Sequence, residues 1–134
     1  MRTNIGVTFL FLGVLSTTGL HLTRVVNTIQ HWAYYQNLFG DMTYYLAISG
    51  SILFLIGAIG TILLWTRSNF VKATILGYGA LFTAGYWIER LFIQPGVTQG
   101  NIWFVIGFQV IMWIIFLVII TRSLNTYLGE KHDR

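Results

Sequence analysis

The chain has 134 residues, of which 55% are hydrophobic and only 9% charged, with a formal net charge of +4. A soluble globular domain carries about 25% charged residues, and soluble helices show one apolar stripe rather than apolar residues all round, so a soluble bundle is set aside. The basic residues form short flanks beside apolar stretches instead of a patch interleaved with aromatics, which argues against a nucleic-acid partner. The absence of cysteine rules out disulfides, thiolate metal sites and iron–sulfur clusters.

Four apolar stretches dominate, at residues 5–29, 43–65, 72–93 and 102–121. About twenty helical residues, rising about 1.5 Å each, cross the roughly 30 Å hydrocarbon layer of a bilayer. The first stretch follows Arg2 and resembles the charged and apolar regions of a signal peptide, with Ser16-Thr17-Thr18-Gly19 supplying small residues. Its apolar character continues to residue 29, too far for a signal peptide, so it is expected to be retained as a span. Gly13 and Thr17 lie on one helical face, and steps of four and three carry that face on to His21 and Arg24.

Residues 31–42 form the longest connection. Trp32, Tyr34, Tyr35, Leu38 and Phe39 suit a segment lying in the membrane interface. The second span carries Ala47, Gly50, Gly57, Gly60 and Thr61, small residues of the kind that let membrane helices approach closely. A short loop at 66–71 predicts an antiparallel hairpin with the third span. There Ala73, Gly77, Ala80 and Ala84 are spaced four, three and four, which predicts a second packing face. Glu89-Arg90 falls near the end of this span and Pro95-Gly96 marks the following turn. The fourth span has Gly107 and Gln109 but is otherwise bulky; residues 110–120 include no polar side chain. It is expected to be peripheral to a core made by the first three. Residues 123–134 read as a polar cytoplasmic tail.

If every stretch crosses, Arg2, Arg67, Lys72, Arg122, Lys131 and Arg134 share one side, six of the eight Lys and Arg residues. The connections at 31–42 and 94–101 contain neither. The positive-inside rule then places both termini in the cytoplasm. The expected fold is all-α: one integral membrane domain, a four-helix bundle in up-down-up-down order, N-in and C-in, in a cell membrane of the bacterial inner-membrane kind.

His21, Arg24, Glu89 and Gln109 share one depth range in this layout and are the candidate polar cluster. A charge at the centre of a span costs about 2.5–3.5 kcal/mol, less toward the interface, and pairing lowers that cost. Glu89 is the only acid inside a span, so Arg24 is its natural partner. Arg90 points about 100° away from Glu89 and is expected to reach the headgroups. The plain reading is that an ion pair and a glutamine fix helix register. The sharper reading is an outward-facing pocket for an amphipathic ligand or lipid. A proton or ion pathway lacks an ionisable relay, since the inner halves of the spans offer only Ser16, Ser51 and Thr61. His21, His31 and His132 lie at different depths, so neither a zinc site nor a bis-histidine haem is expected. No catalytic residue, metal or cofactor is expected.

The segments Tyr86-Trp87-Ile88-Glu89-Arg90-Leu91 and Tyr127-Leu128-Gly129-Glu130-Lys131-His132-Asp133, with the four-span layout, resemble small four-helix bacterial inner-membrane proteins. The resemblance implies fold and location and supplies no catalytic motif. The expected role is non-enzymatic: an accessory or scaffolding subunit whose partners are the lipid bilayer and other membrane subunits or a second copy. The alternative is a small carrier or binder of an amphipathic ligand.

Overall fold

A computed structural model describes residues 5–93 and 101–129. The described residues are helical, without strands: α1 (Ile5–Gln30), α2 (Trp32–Phe39), α3 (Met42–Trp65), α4 (Val71–Ile88) with a π-helical extension (Glu89–Ile93), α5 (Ile102–Val118) with a second π-helical stretch (Ile119–Leu124), and α6 (Asn125–Gly129). Three helices are long and apolar enough to cross a membrane, Ile5–Gln30, Met42–Trp65 and Ile102–Gly129. α4 is shorter, and Lys72 with its glycines and tyrosines makes it less apolar. Arg2, the Pro95-Gly96 turn and the charged residues 130–134, His132 among them, lie outside the described residues.

A bilayer offers the backbone no water, so each span must satisfy its own peptide groups. The hydroxyls inside the spans are absorbed in the same way. Thr18, Thr23, Thr28, Ser51, Thr61 and Thr74 each donate to the carbonyl four residues earlier, at 2.6–3.1 Å. This local bonding removes most polar side chains from any candidate chemistry.

Two turns need unusual backbone. Gly40 ends α2 at φ 56°, a left-handed conformation that glycine adopts without steric cost. The α3–α4 turn is a Schellman motif: Ser68 N–H donates to the Leu63 carbonyl and Arg67 N–H to that of Leu64. Arg67 holds the left-handed position at φ 51°, where a non-glycine residue costs about 1–2 kcal/mol. Its guanidinium lies 4.2 Å from the centre of the Tyr127 ring, and the Tyr127 hydroxyl donates to the Leu64 carbonyl. A cation–π contact of this kind is worth about 0.5–2 kcal/mol, enough to offset much of the strain.

The centre of the molecule is the α1–α3 seam. The buried residues of α3 are Thr43, Leu46, Gly50, Leu53, Gly57, Gly60 and Leu64, alternating steps of three and four as in a coiled coil. α1 answers with Val7, Leu10, Val14, Thr18, His21 and Thr28. A Cβ on Gly57 would fall 2.2 Å from Thr18 Oγ1, and one on Gly50 would fall 2.9 Å from Val25 Cγ2. With Gly60 near Val14, the contacts run in opposite directions along the two helices.

α4 covers this seam with its bulky side. Val71, Ile75, Tyr78 and Gly85 are its buried residues, and Tyr78 donates to Thr17 Oγ1 at 2.9 Å. The small-residue stripe Ala73, Gly77, Ala80 and Ala84 is therefore not the packed face: all four are exposed, and a Cβ on Gly77 would meet nothing within 4 Å. The reason is complementarity. α3 already supplies the groove with Gly57 and Gly60, so α4 contributes the material that fills it. Gly13 of α1 is likewise exposed with open space around it, while Thr17 beside it is half-buried against Tyr78.

α5 has no buried residue between Ile102 and Val118 and touches α4 along a narrow line. Its continuation is different. Ile120 and Leu124 lie in the core with Leu10, Val14, Leu64, Val71 and Ile75. The first part of the segment expected as a polar tail is thus structural, because Leu124 is fully buried.

Candidate functional site

Of the four residues expected to cluster, the structure brings two together. Arg24 Nη1 lies 2.6 Å from Glu89 Oε1, with the side chains 23% and 28% exposed. The second guanidinium nitrogen, Nη2, donates to Ser49 Oγ at 3.3 Å. Gly50 explains how the arginine fits. A Cβ there would approach Arg24 Cδ at 3.7 Å, so this glycine seats the aliphatic stem as well as the helix. Ser49 adjoins Gly50 in sequence, which is the signal by which it is found.

The pair forms one wall of a cavity of about 230 Å³. Arg24 and Thr28 come from α1, Leu46 from α3, Glu89 and Ile93 from the π-helical extension, and Tyr35 and Phe39 from α2. The Tyr35 and Phe39 rings stack with centroids 6.0 Å apart, four residues apart on one helical face. Extra backbone at a π-helical stretch re-aims the side chains that follow. Glu89 opens onto the cavity, whereas the neighbouring Arg90 is buried. It donates to Tyr86 Oη at 2.8 Å and to Asn101 Oδ1. The expectation that Arg90 reaches the headgroups is corrected here. Its hydrogen bonds hold the end of α4 to Asn101, the residue preceding α5.

Gln109 is elsewhere. Its Oε1 accepts from Trp87 Nε1 at 2.7 Å, and Trp113 Nε1 donates to Thr83 Oγ1 at 3.1 Å. These two indole bonds hold α5 to α4, with Gly79 admitting the Trp113 and Phe116 rings. They line a separate open groove of about 610 Å³ that is otherwise aliphatic, with Ile106, Val110 and Leu117 on its walls. His21 is buried behind the seam, edge-on to Tyr78 and Phe82 with centroids 6.3 and 5.6 Å away. It borders neither cavity. Among the described residues no three of His, Asp and Glu are placed to hold a metal ion.

The arrangement sets a cation and an anion side by side, with an aromatic wall and an aliphatic floor. Comparison with protein-family models, with curated proteins and with solved structures finds no match for this chain.

Proposed function

We propose that the protein is a non-enzymatic, multi-pass subunit of a cell membrane of the bacterial inner-membrane kind, which serves as an accessory or scaffold by associating with another membrane helix. In this reading α4 also crosses, giving a four-helix bundle in up-down-up-down order with both termini in the cytoplasm. Packing of α4 against α3 supports its crossing, and the basic flanks support the orientation. Reporter fusions after Gly129 and within α2 test it: activity of a cytoplasmic reporter is expected only from the first. The reverse pattern would overturn the orientation.

The observation that carries the scaffold reading is the outward stripe on α4. Four small residues lie over three turns of helix with their face uncovered. Small residues at steps of four and three let a second helix approach closely in lipid. Since the chain has no cysteine, one introduced thiol reports without background. Ala80→Cys is expected to cross-link in native membranes, to a second copy or to another membrane protein, several-fold more than Ile52→Cys on the exposed side of α3. Adding Gly77→Leu should leave the bundle folded and remove the cross-link. Equal cross-linking from both positions would sink the reading.

A second reading rests on the Arg24–Glu89 cavity. About a quarter of each side chain is exposed, so the pair is accessible to a polar group from outside. This favours binding of an amphipathic molecule at that site.

A further inference from the structure

The Arg24–Glu89 cavity has properties that narrow its occupant, given the amphiphile-binding reading on which this inference rests. At about 230 Å³ it is smaller than the roughly 300–1,000 Å³ of pockets that enclose whole drug-sized molecules, so it admits a headgroup-sized fragment with the remainder outside. Its two formal charges sum to zero. A purely anionic group would meet Arg24 but be repelled by Glu89; a purely cationic one would meet the converse. Either would bring an uncompensated charge into a low-dielectric surrounding, at high cost. A zwitterion brings none.

The free valences are placed for one. Glu89 spends Oε1 on Arg24, while Oε2 has no hydrogen bond to any described residue. Arg24 spends one N–H of Nη1 on Glu89 and one of Nη2 on Ser49, leaving three of its five guanidinium N–H donors, that of Nε among them. The stacked Tyr35 and Phe39 rings line the same cavity, and aromatic faces attract an ammonium ion. The walls continue into Leu46 and Ile93, apolar surface for the first carbons beyond the headgroup.

We propose that this cavity binds one zwitterionic ammonium–phosphate group, the ammonium on Glu89 against the Tyr35–Phe39 wall and the phosphate on Arg24. Two sources carry that chemistry, an ethanolamine phospholipid and a soluble phosphodiester such as glycerophosphoethanolamine. The position of the cavity under α2, whose Tyr34 and Leu38 are exposed in the manner of an interfacial helix, fits the lipid.

The test uses the full chain in non-ionic detergent micelles doped equally with an ethanolamine and a glycerol phospholipid of the same acyl chains, read by native mass spectrometry. Wild type is expected to retain one ethanolamine lipid per chain with about tenfold preference, the effect of one charge-assisted hydrogen bond. Glu89→Gln keeps the acceptor for Arg24 but leaves the cavity positive, and should reverse the preference toward the glycerol lipid. Tyr35→Leu with Phe39→Leu should lower ethanolamine retention several-fold, and decides the matter if Glu89→Gln does not fold. Equal retention by wild type, or a ratio unmoved by these variants, overturns the inference. Retention of the glycerol lipid alone, lost in the Tyr35→Leu/Phe39→Leu chain, removes the zwitterion but leaves the amphiphile reading standing. One-to-one retention of neither lipid removes both. Displacement of bound lipid by millimolar glycerophosphoethanolamine supports the same recognition with a soluble source, and resistance to it supports the lipid.

Discussion

Gly57→Leu is expected to leave little folded protein. A single Cβ at this position would fall 2.2 Å from Thr18 Oγ1, 3.2 Å from Thr18 Cβ and 3.2 Å from Tyr78 Cε2, so three helices must separate to admit it. Thr18 has little freedom to yield. It is β-branched, with a restricted χ1, and its hydroxyl is held by the Val14 carbonyl at 2.6 Å. Overpacking a close contact by one carbon costs about 1–3 kcal/mol, which sets the expectation for Gly57→Ala; leucine multiplies the displaced volume. Yield of monodisperse protein in mild detergent measures the effect. Thr18→Gly should recover part of the Gly57→Ala loss by removing the atoms it strikes. Gly77→Ala is the control, since open space surrounds that site. Similar losses from Gly57→Ala and Gly77→Ala would mean that the α1–α3 seam is not the close contact described.

The second large effect is expected at the ion pair. Arg24→Ala and Glu89→Ala should each reduce folded yield, and the double variant should recover part of it. Removing one partner of a buried pair leaves the other charge uncompensated, typically at about 3–5 kcal/mol. Here 23% and 28% of the side chains remain exposed, so screening brings the cost toward or below the lower end of that range. A double-mutant cycle on reversible unfolding reads the coupling, expected at about 0.5–3 kcal/mol. Strictly additive losses would refute the pairing. Arg24 also holds Ser49 and fills the space over Gly50, so Arg24→Ala should be the costlier single change.

The sequence disclosed most where chemistry leaves few options. Glu89 is the only acid within an apolar stretch, so a partner was demanded, and Arg24 was the residue on the right face to meet it. Gly50 and Gly57, seven apart, point to a seam because a heptad repeat returns to the same side of a helix. The same logic misplaced Ala73, Gly77, Ala80 and Ala84. Spacing tells which residues share a face, but not whether that face turns inward, and here the glycines of α3 had already provided the hollow that Tyr78 and Ile75 fill. Gln109 and Glu89 were grouped by depth, yet depth does not specify azimuth: Trp87 draws Gln109 to the other side of α4. The cavity wall was hidden for a different reason. Tyr35 and Phe39 line the same cavity as Glu89, a non-local placement that spacing within a single helix does not disclose. The loop at 66–71 was legible from its length, but Arg67 concealed its Schellman geometry, which glycine ordinarily announces.

The clasp between Arg67 and Tyr127 bears on the order in which the chain is made. Leu64, Val71 and Ile75 emerge from the ribosome long before Ile120 and Leu124, the residues that cover them. For that interval the end of the core beside the α3–α4 turn lacks the residues that cover it, and Arg67 lacks the ring that offsets the strain of its left-handed conformation. Completion of the interior therefore waits on Ile120 and Leu124, which close over the core faces of α1, α3 and α4.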